Sequence, residues 1–158
     1  MGLHLIRWVL WKLLNNTLLR KYDYKIVHFD SGDRRGIDVA LLYRESFFSM
    51  LSYSLTVPVA CGERMSTRDM LQVCLEDLMG QKINMIVCHH PSKYGGAEES
   101  SSRRNAAMVA LRGLCDSLEI ADPGVPVVSM GVFNDTPDGE QNLDKDQISC
   151  WLIYTNEE

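Results

Sequence analysis

Six short runs of apolar and β-forming residues, broken by polar turns, constrain this chain more than anything else in it. Tyr24–Phe29 (YKIVHF) alternates and is rich in β-formers, so it reads as a strand. Asp38–Tyr43 (DVALLY) is almost continuously apolar, as a strand buried on both faces should be. Phe47–Val59, Met70–Leu75, Ile83–Cys88 and Val125–Met130 are the other four. Between the last two, Ala107, Leu111, Leu114 and Leu118 recur at helical spacing behind Ser100, Ser101 and Ser102, which offer N-caps. A second helix is expected near residues 4–14, where Leu3, Ile6, Leu10, Leu13 and Leu14 form a stripe that stops at Asn15-Asn16-Thr17. Many strands with few helices predict an α/β fold, a mixed sandwich whose sheet is covered on its outer face by helices.

Three polar clusters each follow an apolar strand. They are Asp33-Arg34-Arg35-Gly36 with Asp38, then His89-His90-Pro91-Ser92, then Asn134-Asp135. Loops at strand ends are where sites assemble in α/β proteins. Arg34 and Arg35 suit a phosphate, because a guanidinium fork matches two phosphate oxygens and Gly36 lets the backbone approach. His89 can move a proton or hold a phosphate oxygen. His90 faces the other way if the strand continues, so only one of the two histidines should enter a site. Asp38 is expected to cap its turn or pair with Arg34 or Arg35, and Arg68-Asp69 reads as a surface pair. Asn134 is suited to orienting a phosphate or water, with Asp135 supporting its loop; the plain alternative is an Asx-rich turn.

Charge is uneven. Residues 1–22 carry +4 and no acid, while residues 135–158 carry seven acids against Lys145. The net charge of −5 is therefore a property of the tail, and the rest gives no strong argument for or against nucleic acid. Five cysteines, an odd number without CxxC spacing, argue against a disulfide framework or a structural zinc site, and fit a reducing, cytoplasmic compartment. No apolar stretch is long enough to span a membrane. Arg7 and Lys12 interrupt the apolar start, which reads as a core-packing amphipathic helix ahead of a membrane-surface one.

Taken together, YKIVHFDSGDRRGIDVALLYR, the TRDML strand start, VCHHPSKYGG with SSRRNAAMVALR, and VVSMGVFNDTPD resemble the endonuclease/exonuclease/phosphatase family, the DNase I-like hydrolases, in its bacterial branch. The likeness runs from about Trp8 to Asp138. It implies a partial DNase I-like sandwich over residues 1–138, lacking its first and closing strands, followed by an acidic tail over 139–158. It also implies hydrolysis of a phosphodiester or phosphomonoester with Mg²⁺, on a phosphate ester or nucleic-acid substrate. His89 matches the histidine of the family's Asn-His-Trp-Pro-Ser motif, a general acid or phosphate ligand. Asn134 matches the Asn of Gly-Asp-Phe-Asn. Arg35 and Asp38 fall where site-lining residues are expected.

The departures bear on activity. Gly131-Val132-Phe133-Asn134 has valine where the family has the Asp that orients water, and valine neither takes a proton nor binds a cation. Cys88 and His90 replace the Asn and Trp around His89. No acid precedes Asp23, so the family's metal-binding Glu has no counterpart and no metal ligand is assigned. Two expectations follow: a weakened or inactive phosphoesterase, or a non-catalytic remnant that binds phosphate or protein. A shortened sandwich should also leave sheet surface exposed for self-association.

Overall fold

The computed structural model describes residues 5–134, apart from 97 and 99, and the strand 150–154. Helix α1 (Leu5–Asn16) and a 3-10 turn (Leu18–Tyr22) lead into β1 (Tyr24–His28), β2 (Ala40–Arg44) and β3 (Phe48–Thr56). Two short strands follow, β4 (Val59–Ala60) and β5 (Glu63–Arg64), then β6 (Met70–Asp77) and β7 (Lys82–His89). Helix α2 (Ser101–Ala121), β8 (Val127–Val132) and β9 (Cys150–Tyr154) complete the order.

Five strands form one sheet in the order β3-β6-β7-β8-β9. The antiparallel β6–β7 pair turns at Gly80, whose φ of 77° is the left-handed geometry that glycine adopts without strain. β7 and β8 are parallel, which requires a crossover, and α2 supplies it. Strand alternation divides the side chains of this sheet between two cores. On one face Met70, Ile86, Cys88 and Val127 pack against Ala107, Met108, Leu111 and Cys115 of α2. On the other, Leu71, Val73 and Leu75 pack against Val27, Val39 and Leu41 of the β1–β2 hairpin. The result is a helix, a five-stranded sheet and a hairpin in three layers, the mixed α/β sandwich expected.

Some local expectations change. Ser100 is the N-cap of α2, but its hydroxyl donates to the Gly96 carbonyl at 2.6 Å instead of capping the helix. The loop expected at residues 61–68 holds the turn and second strand of the β4–β5 hairpin, which begins at Val59. The segment read as an acidic tail contributes β9, which pairs parallel to β8 from Cys150 opposite Val127 to Tyr154 opposite Gly131. β3 is an edge strand, and Met50, Leu51, Tyr53 and Leu55 on it are exposed. No helix among the described residues is long and apolar enough to cross a membrane.

Candidate phosphate site

The segment DSGDRRGID is a polar loop that folds on itself. The Ser31 amide donates to Asp38 Oδ1 at 2.7 Å, and the Ser31 hydroxyl donates to the Ile37 carbonyl at 3.0 Å. The Gly36 amide closes a turn onto the Asp33 carbonyl at 3.0 Å, with Gly36 at φ 70°. Asp33 is buried at the centre. Its Oδ1 accepts from the Arg35 amide at 2.8 Å and from Arg35 Nε at 3.1 Å, and its Oδ2 accepts from Arg35 Nη2 at 2.9 Å. This bidentate geometry is the strong form of the pairing. Arg68 Nη1 adds a bond to the same Oδ2 at 3.2 Å. The hydrogen bonds from Arg35 hold the Asp33 carboxyl well below the usual carboxylate range, against the opposing effect of burial.

Here one expectation is met in one of its two forms, since Asp38 caps its turn through the Ser31 amide, and another is corrected. Asp38 pairs with neither Arg34 nor Arg35; its Oδ2 faces His28 Nε2 at 3.4 Å, because the turn directs Arg35 to Asp33 instead. Arg68 and Asp69 are not a surface pair. Both are buried: Asp69 is held by Arg64 Nη2 at 3.0 Å, and Arg68 reaches across to the loop of Asp33. Burial lowers the pKa of the Arg68 guanidinium, against the stabilising bond from Asp33.

The His90 carbonyl joins the remaining elements. It accepts from Arg68 Nη2 at 3.0 Å and from Asn134 Nδ2 at 2.9 Å, while the His90 amide donates to the Val132 carbonyl at 2.8 Å. Asn134 sits at φ 55°, a left-handed conformation that Asn tolerates better than most residues. The His90 ring is buried, edge-on to Phe133 at 5.1 Å, and neither ring nitrogen has a hydrogen-bond partner. Burial first, then the Arg68 and His89 charges, lowers its pKa to about 4. His89 is half-buried at the end of β7, opposite Val132 in the β7–β8 register.

Beside this network lies an open cleft of about 470 Å³, lined by Arg34, Arg35, Arg68 and Arg103 with Ser66, Thr67 and Ser92 among its hydroxyls. Four guanidiniums, four hydroxyls with that of Tyr94, and one carboxylate already bound to two arginines make an anion-binding surface. Of the residues expected from sequence, Arg34 and Arg35 line it. His89 and Asn134 do not, although Pro91 and Ser92, just beyond the two histidines, do. Asp135 lies outside the described residues. Sequence reasoning missed Arg68, Thr67 and Arg103, which stand beside a strand start and inside a helix. The arginine-rich SSRR segment was the available signal.

The layered sheet, with its helix on one face and its hairpin on the other, is that of an α/β protein of DNase I-like fold. A family profile described as the Endonuclease/Exonuclease/phosphatase family matches residues 6–147, and the chain belongs to that family. A truncated Caenorhabditis elegans TDP2 structure superposes with a TM-score of 0.61 at 17% identity, over 85% of this chain and 46% of that one. The human Nocturnin catalytic domain with bound sulfate gives 0.57 at 16% identity, over 78% of this chain and 47% of that one. ANGEL2, described as a 2′,3′-cyclic phosphatase, gives 0.59 at 18% identity, over 80% and 38%. At these identities the likeness shows the fold alone. The chain spans less than half the length of these structures. No curated protein matches it.

Proposed function

We propose that this chain binds phosphate esters in the arginine cleft and hydrolyses them weakly, as a phosphodiesterase- or phosphatase-type member of its family. The observation that carries this reading is the convergence of Arg34, Arg35, Arg68 and Arg103 on one opening. Arg34 is exposed and in place to take a phosphate oxygen, while Asp33 fixes Arg35 in position. His89 lies outside the cleft's lining, and its role as proton donor or phosphate ligand rests on its place in the family motif alone. Asn134, fixed to the His90 carbonyl, orients the phosphate or the attacking water.

Family members are typically divalent-metal dependent, and Mg²⁺ is the ion their resemblance implies. The cleft does not suit one: among the described residues the one carboxylate lining it, Asp33, is taken by two guanidiniums. Val132 stands opposite His89 where the family carries its Asp, so no group there accepts a proton from water. Losing one such group commonly costs about 10² to 10⁴ in rate.

The test is binding and turnover side by side. Inorganic phosphate and a nucleoside monophosphate are titrated into the full chain, and cleavage of plasmid DNA and of a generic phosphodiester is followed with Mg²⁺. The expected result is phosphate binding with slow turnover, faster in Val132→Asp and abolished in His89→Ala. Absence of phosphate binding overturns the proposal. Binding with no turnover in either Val132 form leaves the non-catalytic phosphate-binding module as the function. The exposed apolar side chains of edge strand β3 support self-association.

A further inference from the structure

His28, Asp30 and Asp38 bring their donor atoms together, all within 4.8 Å of one another, at the base of the DSGDRRGID loop. The three residues come from the end of β1, the turn after it and the entry to β2. They meet because β1 and β2 pair antiparallel, with His28 opposite Ala40. The imidazole is almost wholly buried, with its side chain 4% exposed, and its Nε2 has no hydrogen-bond partner. Asp38 Oδ2 lies 3.4 Å from that nitrogen, and the other oxygen, Oδ1, is occupied by the Ser31 amide. A buried nitrogen without a hydrogen bond carries a desolvation cost that the carboxylate at 3.4 Å offsets only in part, and that an ion between the two would offset further.

We infer that His28, Asp30 and Asp38 form a binding site for a divalent transition-metal ion such as Mn²⁺ or Zn²⁺. Ligand-to-metal distances of about 2.0–2.2 Å put neighbouring donors on one ion roughly 3–3.5 Å apart, which His28 Nε2 and Asp38 Oδ2 already satisfy. Asp30 is exposed, so a side-chain rotation brings its carboxylate to the same ion. One imidazole nitrogen with two carboxylates favours Mn²⁺ or Zn²⁺ over Mg²⁺ and Ca²⁺, which prefer oxygen alone. The bond from the Ser31 amide to Asp38 Oδ1 orients this ligand, as outer hydrogen bonds do around metal ligands. Asp30 and Asp38 also line a cavity of about 310 Å³ that Arg34 and Arg35 share, so a bound ion has access to solvent.

The site uses none of the cleft residues on which phosphate binding depends, so the two readings fail separately. The full chain is titrated with Mn²⁺, and the free-ion signal is followed by electron paramagnetic resonance. Mn²⁺ is the probe because it discriminates against the thiolate of exposed Cys61. The expected result is one Mn²⁺ per chain, displaced by Zn²⁺, with affinity at least tenfold lower in Asp30→Asn and in His28→Gln. Asp30 is exposed, so its variant keeps the fold and decides the matter even if His28→Gln unfolds. Absence of stoichiometric binding, or equal binding by Asp30→Asn, overturns the inference.

Discussion

Arg68 Nη1 lies 3.2 Å from Asp33 Oδ2, and both side chains are buried, although the two residues are 35 positions apart. This pair ties the loop after β1 to the start of β6, and so holds the hairpin layer in register with the sheet that carries the cleft. Arg35 shares Asp33 from its exposed side. The carboxylate therefore does not depend on one partner, whereas the Arg68 guanidinium, within this pair, does.

Replacing Arg68 with leucine removes the buried charge but leaves Asp33 with Arg35. The expected cost is about 3 kcal/mol, the low end for breaking a buried pair, because Arg35 still compensates the carboxylate. Urea unfolding of Arg68→Leu against the unmodified chain measures it. A cost under about 0.5 kcal/mol would mean that the pair is not formed in solution.

Acid should destabilise the fold before the carboxylates titrate. His90 has a folded pKa of about 4 against an ordinary 6.5, so the unfolded chain binds the proton first. Its contribution to stability is complete above pH 6.5 and is lost as pH falls from 6.5 toward 4, at up to about 1.4 kcal/mol per unit. The depressed Asp33 carboxyl adds to this only below about pH 4, its ordinary range. Unfolding midpoints at pH 7.5, 6, 5 and 4 should decline for the unmodified chain and stay nearly level for His90→Phe. Parallel slopes in the two proteins would remove His90 from the account.

Arg34 is exposed and should matter for ligand rather than for fold. Arg34→Ala should weaken phosphate binding about tenfold or more, since a charge-assisted bond contributes about 1.5–3 kcal/mol. Its unfolding free energy should shift by no more than about 0.5 kcal/mol, the usual range for a surface change. Calorimetric titration with phosphate, together with a denaturant melt, separates the two effects.

Gly131 stands at φ 133°, beside the Cys88 carbonyl of the neighbouring strand, and an added methyl would run into that carbonyl. Gly131→Ala should cost about 3 kcal/mol or more, from strained backbone and overpacking together. Thermal melts compared with the control Gly113→Ala, where nothing lies near the added carbon, isolate the strand contact. Equal melts for the two variants would contradict the close β7–β8 approach.

Local pattern made much of the architecture legible. YKIVHF and DVALLY became β1 and β2, and the apolar stripe from Ala107 to Leu118 became α2 on one face of the sheet. Period and composition are local properties, and they persist in the fold because each strand or helix must hide its own apolar face. Arg34 and Arg35 were legible for the same reason: the turn that exposes them is written in neighbouring residues. β9 was not, because its acidic surroundings outweighed the short apolar run CWLIY.

The sequence by itself determined the order of the six longer strands before residue 134 and of the two helices, the family motifs around His89 and Asn134, and the valine at position 132. Only the tertiary structure decided that Arg68 is buried against Asp33, that Asp38 faces His28 and not an arginine, and that four guanidiniums share one opening. The physical reason is distance along the chain. Charged groups separated by many residues pair only where packing brings them together, and burial then makes that pairing obligatory.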